Sequence, residues 1–171
     1  AMRRIYLLLL TVLCITSAQA QNNSSRVGLG VGVLWEKGMD ATVFWEYETR
    51  YHHAWEVFAN GYLKWDDCET CDKICSDSFW RNYNTWGIGL AYKPCIIRSR
   101  NKYGSMRIGA SAGSNTEKFL AGLHFGYEQN YVLRHGWQLY WQAKVDVMIP
   151  NREDVFRTGI TIGLKIPTCY H

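Results

Sequence analysis

The sequence predicts an all-β protein, an eight-stranded antiparallel up-and-down transmembrane β-barrel with a polar, side-chain-filled interior. Three observations lead there. Apolar residues alternate with period two along almost the whole chain after residue 20, and no segment sustains a helical period. Glycine is abundant, with 15 residues, and proline scarce, with 3. Eight Trp and 11 Tyr are far more large aromatic side chains than a small soluble core needs, whereas membrane barrels use them at their interfaces.

The strands are expected at about 27–35, 39–48, 54–65, 83–93, 103–112, 118–128, 136–148 and 154–166. In each, one phase is free of charge. It runs Val27, Leu29, Val31, Val33, Trp35 in the first strand and Trp137, Leu139, Trp141, Ala143, Val145, Val147 in the seventh. A soluble sandwich also has one charge-free face, so the opposite phase decides. That phase carries Gly28, Gly30, Gly32, Gly87, Gly89, Gly109, Gly122, Gly126, Gly159 and Gly163. Between them stand the acids Glu46, Glu48, Glu56, Glu128 and Asp146 and the bases Lys64, Arg107, Lys144, Arg157 and Lys165. Glycine weakens a strand unless something must approach it closely. The interior of an eight-stranded barrel is just wide enough for side chains to fill, and there small residues beside paired long ionic ones have a purpose. The charge-free phase then faces lipid. Trp35, Trp65 and Trp86 would form an aromatic girdle near the outer rim, and Trp55, Tyr92, Tyr127 and Trp137 another near the inner rim.

Ahead of the strands, residues 1–20 read as a cleaved signal peptide. Arg3 and Arg4 precede the apolar stretch Ile5 to Ile15, and Ala18-Gln19-Ala20 supplies the small-x-small cleavage pattern. The stretch is too short for a membrane helix, which needs about 20 residues. Residues 21–171 then form a single barrel domain, placed in the outer membrane of a Gram-negative bacterium. Without Arg3 and Arg4 the formal charge of +4 falls to +2, too mild for a dedicated nucleic-acid binder, so no direct nucleic-acid contact is expected. An even strand count returns the C-terminus to the periplasmic side. The long connection after the third strand, 66–82, then lies outside, as outer-membrane barrels prefer. The segment Pro94 to Lys102 departs from that pattern. It reads as a periplasmic turn that is not short, and it carries Arg98, Arg100 and Lys102.

Cys68, Cys71 and Cys75 share the outer loop, while Cys95 and Cys169 fall at the periplasmic end. An exported chain meets an oxidising compartment, so disulfides are the default reading, with the pairing open. The loop offers three thiols without a nearby histidine, so no metal site and no cofactor are expected. His52, His53 and His135 belong to periplasmic turns, and His171 is the last residue. His124 points inward, with Ser105 and Ser111 on the neighbouring strand, and reads as part of the interior network. Catalytic residues are not expected.

The closing strand, Thr158-Gly-Ile-Thr-Ile-Gly-Leu-Lys-Ile166, and the Gly126-Tyr127-Glu128 segment resemble small outer-membrane barrels of Bacteroidota, and the layout is similar to the TraO family of conjugative transposons. That resemblance implies a component of a DNA-transfer apparatus at the outer membrane, with no catalytic residues to carry over. The expected function is thus a non-enzymatic structural or interaction component of an envelope complex. It would touch outer-membrane lipid, and other envelope proteins through the 66–82 loop or the periplasmic turns. A lipid-modifying barrel enzyme and a secreted soluble ligand-binding barrel are the alternatives.

Overall fold

The computed structural model describes residues 24–35, 38–49, 51–64, 85–115, 118–149 and 155–168. The signal-peptide segment, Trp65, the 66–82 loop with Cys68, Cys71 and Cys75, and Cys169 lie outside the described residues. Nine strands follow in chain order: β1 (Ser24–Leu34), β2 (Gly38–Glu48), β3 (Ala54–Lys64), β4 (Thr85–Lys93), β5 (Cys95–Arg98), β6 (Lys102–Ser114), β7 (Phe119–Val132), β8 (Gln138–Ile149) and β9 (Phe156–Pro167). Each pairs antiparallel with its neighbours. The β1–β9 and β4–β6 ladders close the sheet on itself.

The wall has eight strand positions, because β4 and β5 are two parts of one. Pro94 divides them. Proline has no N–H to give to a ladder, and the register shifts between Cys95 and Ile97 before β5 resumes pairing with β6. This corrects the reading of Pro94 to Lys102 as a turn. Most of that segment is strand, extended past the break, and a tight reversal at Ser99 and Lys102 joins it to β6. The apolar Ile96 and Ile97 allow it, since both suit an extended backbone. Arg98, Arg100 and Lys102 are all exposed on the resulting lip.

Both ends of the described chain and the connections after β2, β5 and β7 lie at one end of the barrel, and the connections after β1, β3, β6 and β8 lie at the other. The connection after β3, residues 65–84, is the longest between strands, and barrels of this kind keep their long loops outside, which makes the first the inner end and the second the outer. At the inner end His52, in the β2–β3 turn, and His135, in the β7–β8 turn, both adopt left-handed backbone with φ of 61° and 62°.

Side-chain direction follows the pleat. Along β1, the inward residues Gly28, Gly30, Gly32 and Leu34 are buried, while Val27, Leu29, Val31 and Val33 are exposed. The same alternation holds across β4, where Trp86, Ile88, Leu90 and Tyr92 face out. Exposed on the outer surface are also Trp35, Trp45, Trp55, Trp137 and Trp141. The greasiest phase of the sequence thus covers the exterior.

Inside, glycine makes room for rings. Phe44, Phe58, Tyr62, Tyr103 and Tyr140 are buried within the barrel. Gly28 faces Phe44 across the β1–β2 ladder, and a Cβ added at Gly28 would run into the Phe44 ring. Gly163 cradles Tyr140 in the same way, with 2.6 Å between an added Cβ and the ring. Cations then cover the rings: Arg157 lies 3.7 Å from the Tyr62 ring centre, Arg107 4.3 Å from Phe58 and Lys93 4.8 Å from Phe44. Stacking of that kind adds a favourable contact for each buried guanidinium or ammonium.

Candidate functional site: the barrel interior

The centre of the bore is held by two lysines among three glutamates. Lys93, the last residue of β4, donates to Glu46 and Glu128, each at 2.7 Å, and also contacts Glu56. Lys165 of β9 donates to Glu46 at 2.8 Å and to Glu128 at 2.6 Å. Arg107 of β6 completes the cluster with 2.7 Å to Glu56. The carboxylate oxygens of Glu46, Glu56 and Glu128 lie within 4.8 Å of one another. That is a spacing that suits a cation, and the Lys93 ammonium fills the role. Asn130 adds a hydrogen bond to Glu128 at 2.9 Å. Lysines, arginine and glutamates of this cluster are all buried. Burying so many ions is tolerable only because each carboxylate meets at least one cation.

A second group lies toward the outer end. Lys144 contacts Asp40 and lies 3.3 Å from Asp146. His124 Nδ1 is 2.7 Å from Asp146 Oδ1, and His124 Nε2 is 2.7 Å from the Ser111 hydroxyl. The ladders explain this grouping. His124 on β7 faces Asp146 on β8 directly, and on its other side it faces Gly109, two residues from Ser111 on β6. Arg157, near the outer rim, donates to Thr85 at 2.9 Å. Lys64 is half-buried at the outer end of β3.

A third group closes the inner end. Glu48 contacts Arg26 and His52 and accepts a hydrogen bond from Tyr103 at 3.0 Å. The His52 ring stacks on Tyr103 with centroids 4.5 Å apart. Partial burial lowers the His52 pKa from its ordinary value, and the guanidinium groups of Arg98 and Arg26 act in the same direction. Glu48, in contact with the same ring, is shared with Arg26.

Of the ten ionic residues singled out from the sequence, the central cluster takes Glu46, Glu56, Arg107, Glu128 and Lys165. The outer group takes Lys144 and Asp146, and the inner group takes Glu48. Sequence reasoning missed Lys93, Asp40 and Arg26. All three lie on the inward phase but at or near strand ends, where few residues remain to set the alternation. Counting inward residues to the last one of each strand finds them. Ser105 is buried elsewhere on β6, and only Ser111 reaches His124.

Cys95 is half-buried and has no disulfide partner among the described residues. Its backbone N–H donates to His53 Nδ1 at 3.1 Å.

The aromatic residues form two exterior bands. Trp35 and Trp86 mark the outer end, and Trp55, Tyr92 and Trp137 mark the inner end, with Tyr127 higher on the same side. Trp55 and Tyr92 face each other in register, their ring centroids 4.8 Å apart.

A closed antiparallel barrel with an apolar, ring-banded exterior and an ionic lumen is an integral protein of the outer-membrane class. A soluble ligand-binding barrel would need the tryptophan-rich face inside, and here it is outside. Solved structures agree on the fold. Neisserial surface protein A is similar with a TM-score of 0.57 at 11% identity, over 84% of this chain and 94% of that one. A major outer membrane protein from Thermus thermophilus is similar with a TM-score of 0.52 at 12% identity, over 86% of this chain and 100% of that one. A de novo designed transmembrane β-barrel is similar with a TM-score of 0.50 at 12% identity, over 87% and 98% of the two chains. No family model and no curated protein matches the chain.

Proposed function

We propose that this outer-membrane barrel serves as a structural and interaction component of a Gram-negative envelope assembly, its contacts made by its two rims and not by a conducting bore. The observation that carries this is the salt-bridged plug. Lys93, Lys165, Glu46, Glu56 and Glu128 meet across the lumen from β2, β3, β4, β7 and β9, and all five are buried there. The likeness to the TraO layout makes a conjugative DNA-transfer apparatus the assembly of choice. Partner contact is assigned to the 66–82 loop outside, and at the inner end to the lip bearing Arg98, Arg100 and Lys102, which carries no acidic side chain from Pro94 to Lys102.

Cross-linking with mass spectrometry in intact cells tests this. The expected result is a reproducible link from the outer loop or the inner lip to another envelope protein. Deleting residues 67–78 should leave heat-modifiable gel migration intact and remove the outer partner. A chain linked only to itself, or ion conductance through the purified barrel in planar bilayers, would overturn the reading.

A further inference from the structure

The Ser111, His124 and Asp146 side chains are joined as a nucleophile, a base and an orienting carboxylate, and the interaction role proposed above makes no use of them. Asp146 accepts only, so the 2.7 Å contact places the His124 proton on Nδ1 and leaves Nε2 free to accept from the Ser111 hydroxyl, also at 2.7 Å. That is the tautomer a general base needs, and such triads are recognised by geometry and role, not by sequence order. His124 is held edge-on by Phe58, with ring centroids 5.1 Å apart.

Ser111 has small residues beside it in the wall, under the Phe58 ring and the Met148 sulfur. Its partners in the wall are Gly89 on one side and Gly122 on the other. A Cβ at Gly122 would lie 2.7 Å from the Ser111 hydroxyl oxygen and 3.1 Å from His124 Nε2, so any side chain there would displace the pair. A Cβ at Gly87 would lie 3.1 Å from the Asn60 side-chain oxygen and 3.7 Å from the Ser111 oxygen. Gly87 thus keeps the narrow space between Ser111 and Asn60 free of a side chain. Ser111 is half-buried, three residues from the outer end of β6.

We propose that Ser111, His124 and Asp146 form an ester-hydrolysing site near the outer mouth, with a carboxylic ester as substrate. Ser111 Oγ attacks the acyl carbonyl as its proton passes to His124 Nε2. The carbon–oxygen bond to the alcohol breaks, and the alcohol leaves with the proton from His124. Water, activated by the same imidazole, then hydrolyses the acyl-serine, so that ester and water give acid and alcohol. Asp146 stays ionised throughout and orients the ring. The site is independent of any partner at the rims.

The test uses the full chain folded in detergent, with folding followed by heat-modifiable migration. A fluorophosphonate probe is added, and adducts are mapped by peptide mass spectrometry. The expected adduct is on Ser111 of the parent protein. His124→Gln should slow its formation by roughly a hundredfold or more, whereas Ser105→Ala should leave it unchanged. Hydrolysis of p-nitrophenyl acetate and palmitate then separates the sources of the ester. Turnover of the acetate alone points to a soluble ester, and turnover of the palmitate to a lipid. A folded parent protein with no adduct, or with its adduct on another serine, overturns the proposal. Mapping the parent itself keeps the test valid if Ser111→Ala fails to fold.

Discussion

Replacing Lys93 by Met removes the ammonium that three glutamates share while nearly preserving length and volume. Glu46, Glu56 and Glu128 then face one another with oxygen atoms within 4.8 Å. At an effective dielectric of about 20, two unit charges at that distance repel by roughly 3.5 kcal/mol. Lys165 still neutralises part of Glu46 and Glu128, and Arg107 part of Glu56. The expected loss is therefore about 3–5 kcal/mol, the usual cost of removing one partner from a buried ion pair. Urea unfolding in phospholipid vesicles, followed by tryptophan fluorescence, measures it, since the ring-bearing exterior reports directly on leaving the bilayer. Adding Glu128→Gln to Lys93→Met restores the charge balance and should regain part of the loss. A Lys93→Met protein within about 0.5 kcal/mol of its parent would refute the claim that this network holds the bore together.

Two further outcomes follow from the two surfaces. Ile162 is 58% exposed on the lipid-facing side of β9, so Ile162→Arg should destabilise the barrel by roughly 2–4 kcal/mol in vesicles; an unchanged unfolding midpoint would argue against a bilayer around that face. At the inner end, nuclear magnetic resonance of the ring in micelles should show His52 titrating below its ordinary value of 6.5, and Arg98→Ala should raise the midpoint. Because the folded state resists protonation there, the contribution of His52 to stability is full above pH 6.5 and is lost as pH falls through its lowered midpoint. A midpoint above 6.5 would show instead that Glu48 governs the ring.

Much of the fold was legible in the sequence because a barrel wall is the most periodic object a chain can make. Val31 and Ile162, or Gly30 and Gly163, are assigned to opposite faces by parity alone, and the ladders set each pair opposite one another. What parity cannot reach is content. It marks Phe44, Phe58 and Tyr140 as inward but gives no reason for rings inside a polar bore. The reason is steric, supplied by Gly28, Gly89 and Gly163 on adjoining strands. Parity set His124 and Asp146 inward with Ser105 and Ser111 on the strand beside His124, but which serine it meets and that Asp146 faces it need the register of two ladders at once. Pro94 misled in the other direction. A proline followed by basic residues suggests a turn, but the wall tolerated one missing N–H and resumed as β5.

The fit of Phe44 over Gly28 ties two positions sixteen residues apart into one unit of inheritance. A branched side chain arriving at 28 would strand the ring, and shrinking the ring first would open a hole beneath the Lys93 ammonium. Neither step is tolerable alone. Descendants of this chain should therefore change the two together or leave both untouched, and the same bond of necessity joins Tyr140 to Gly163.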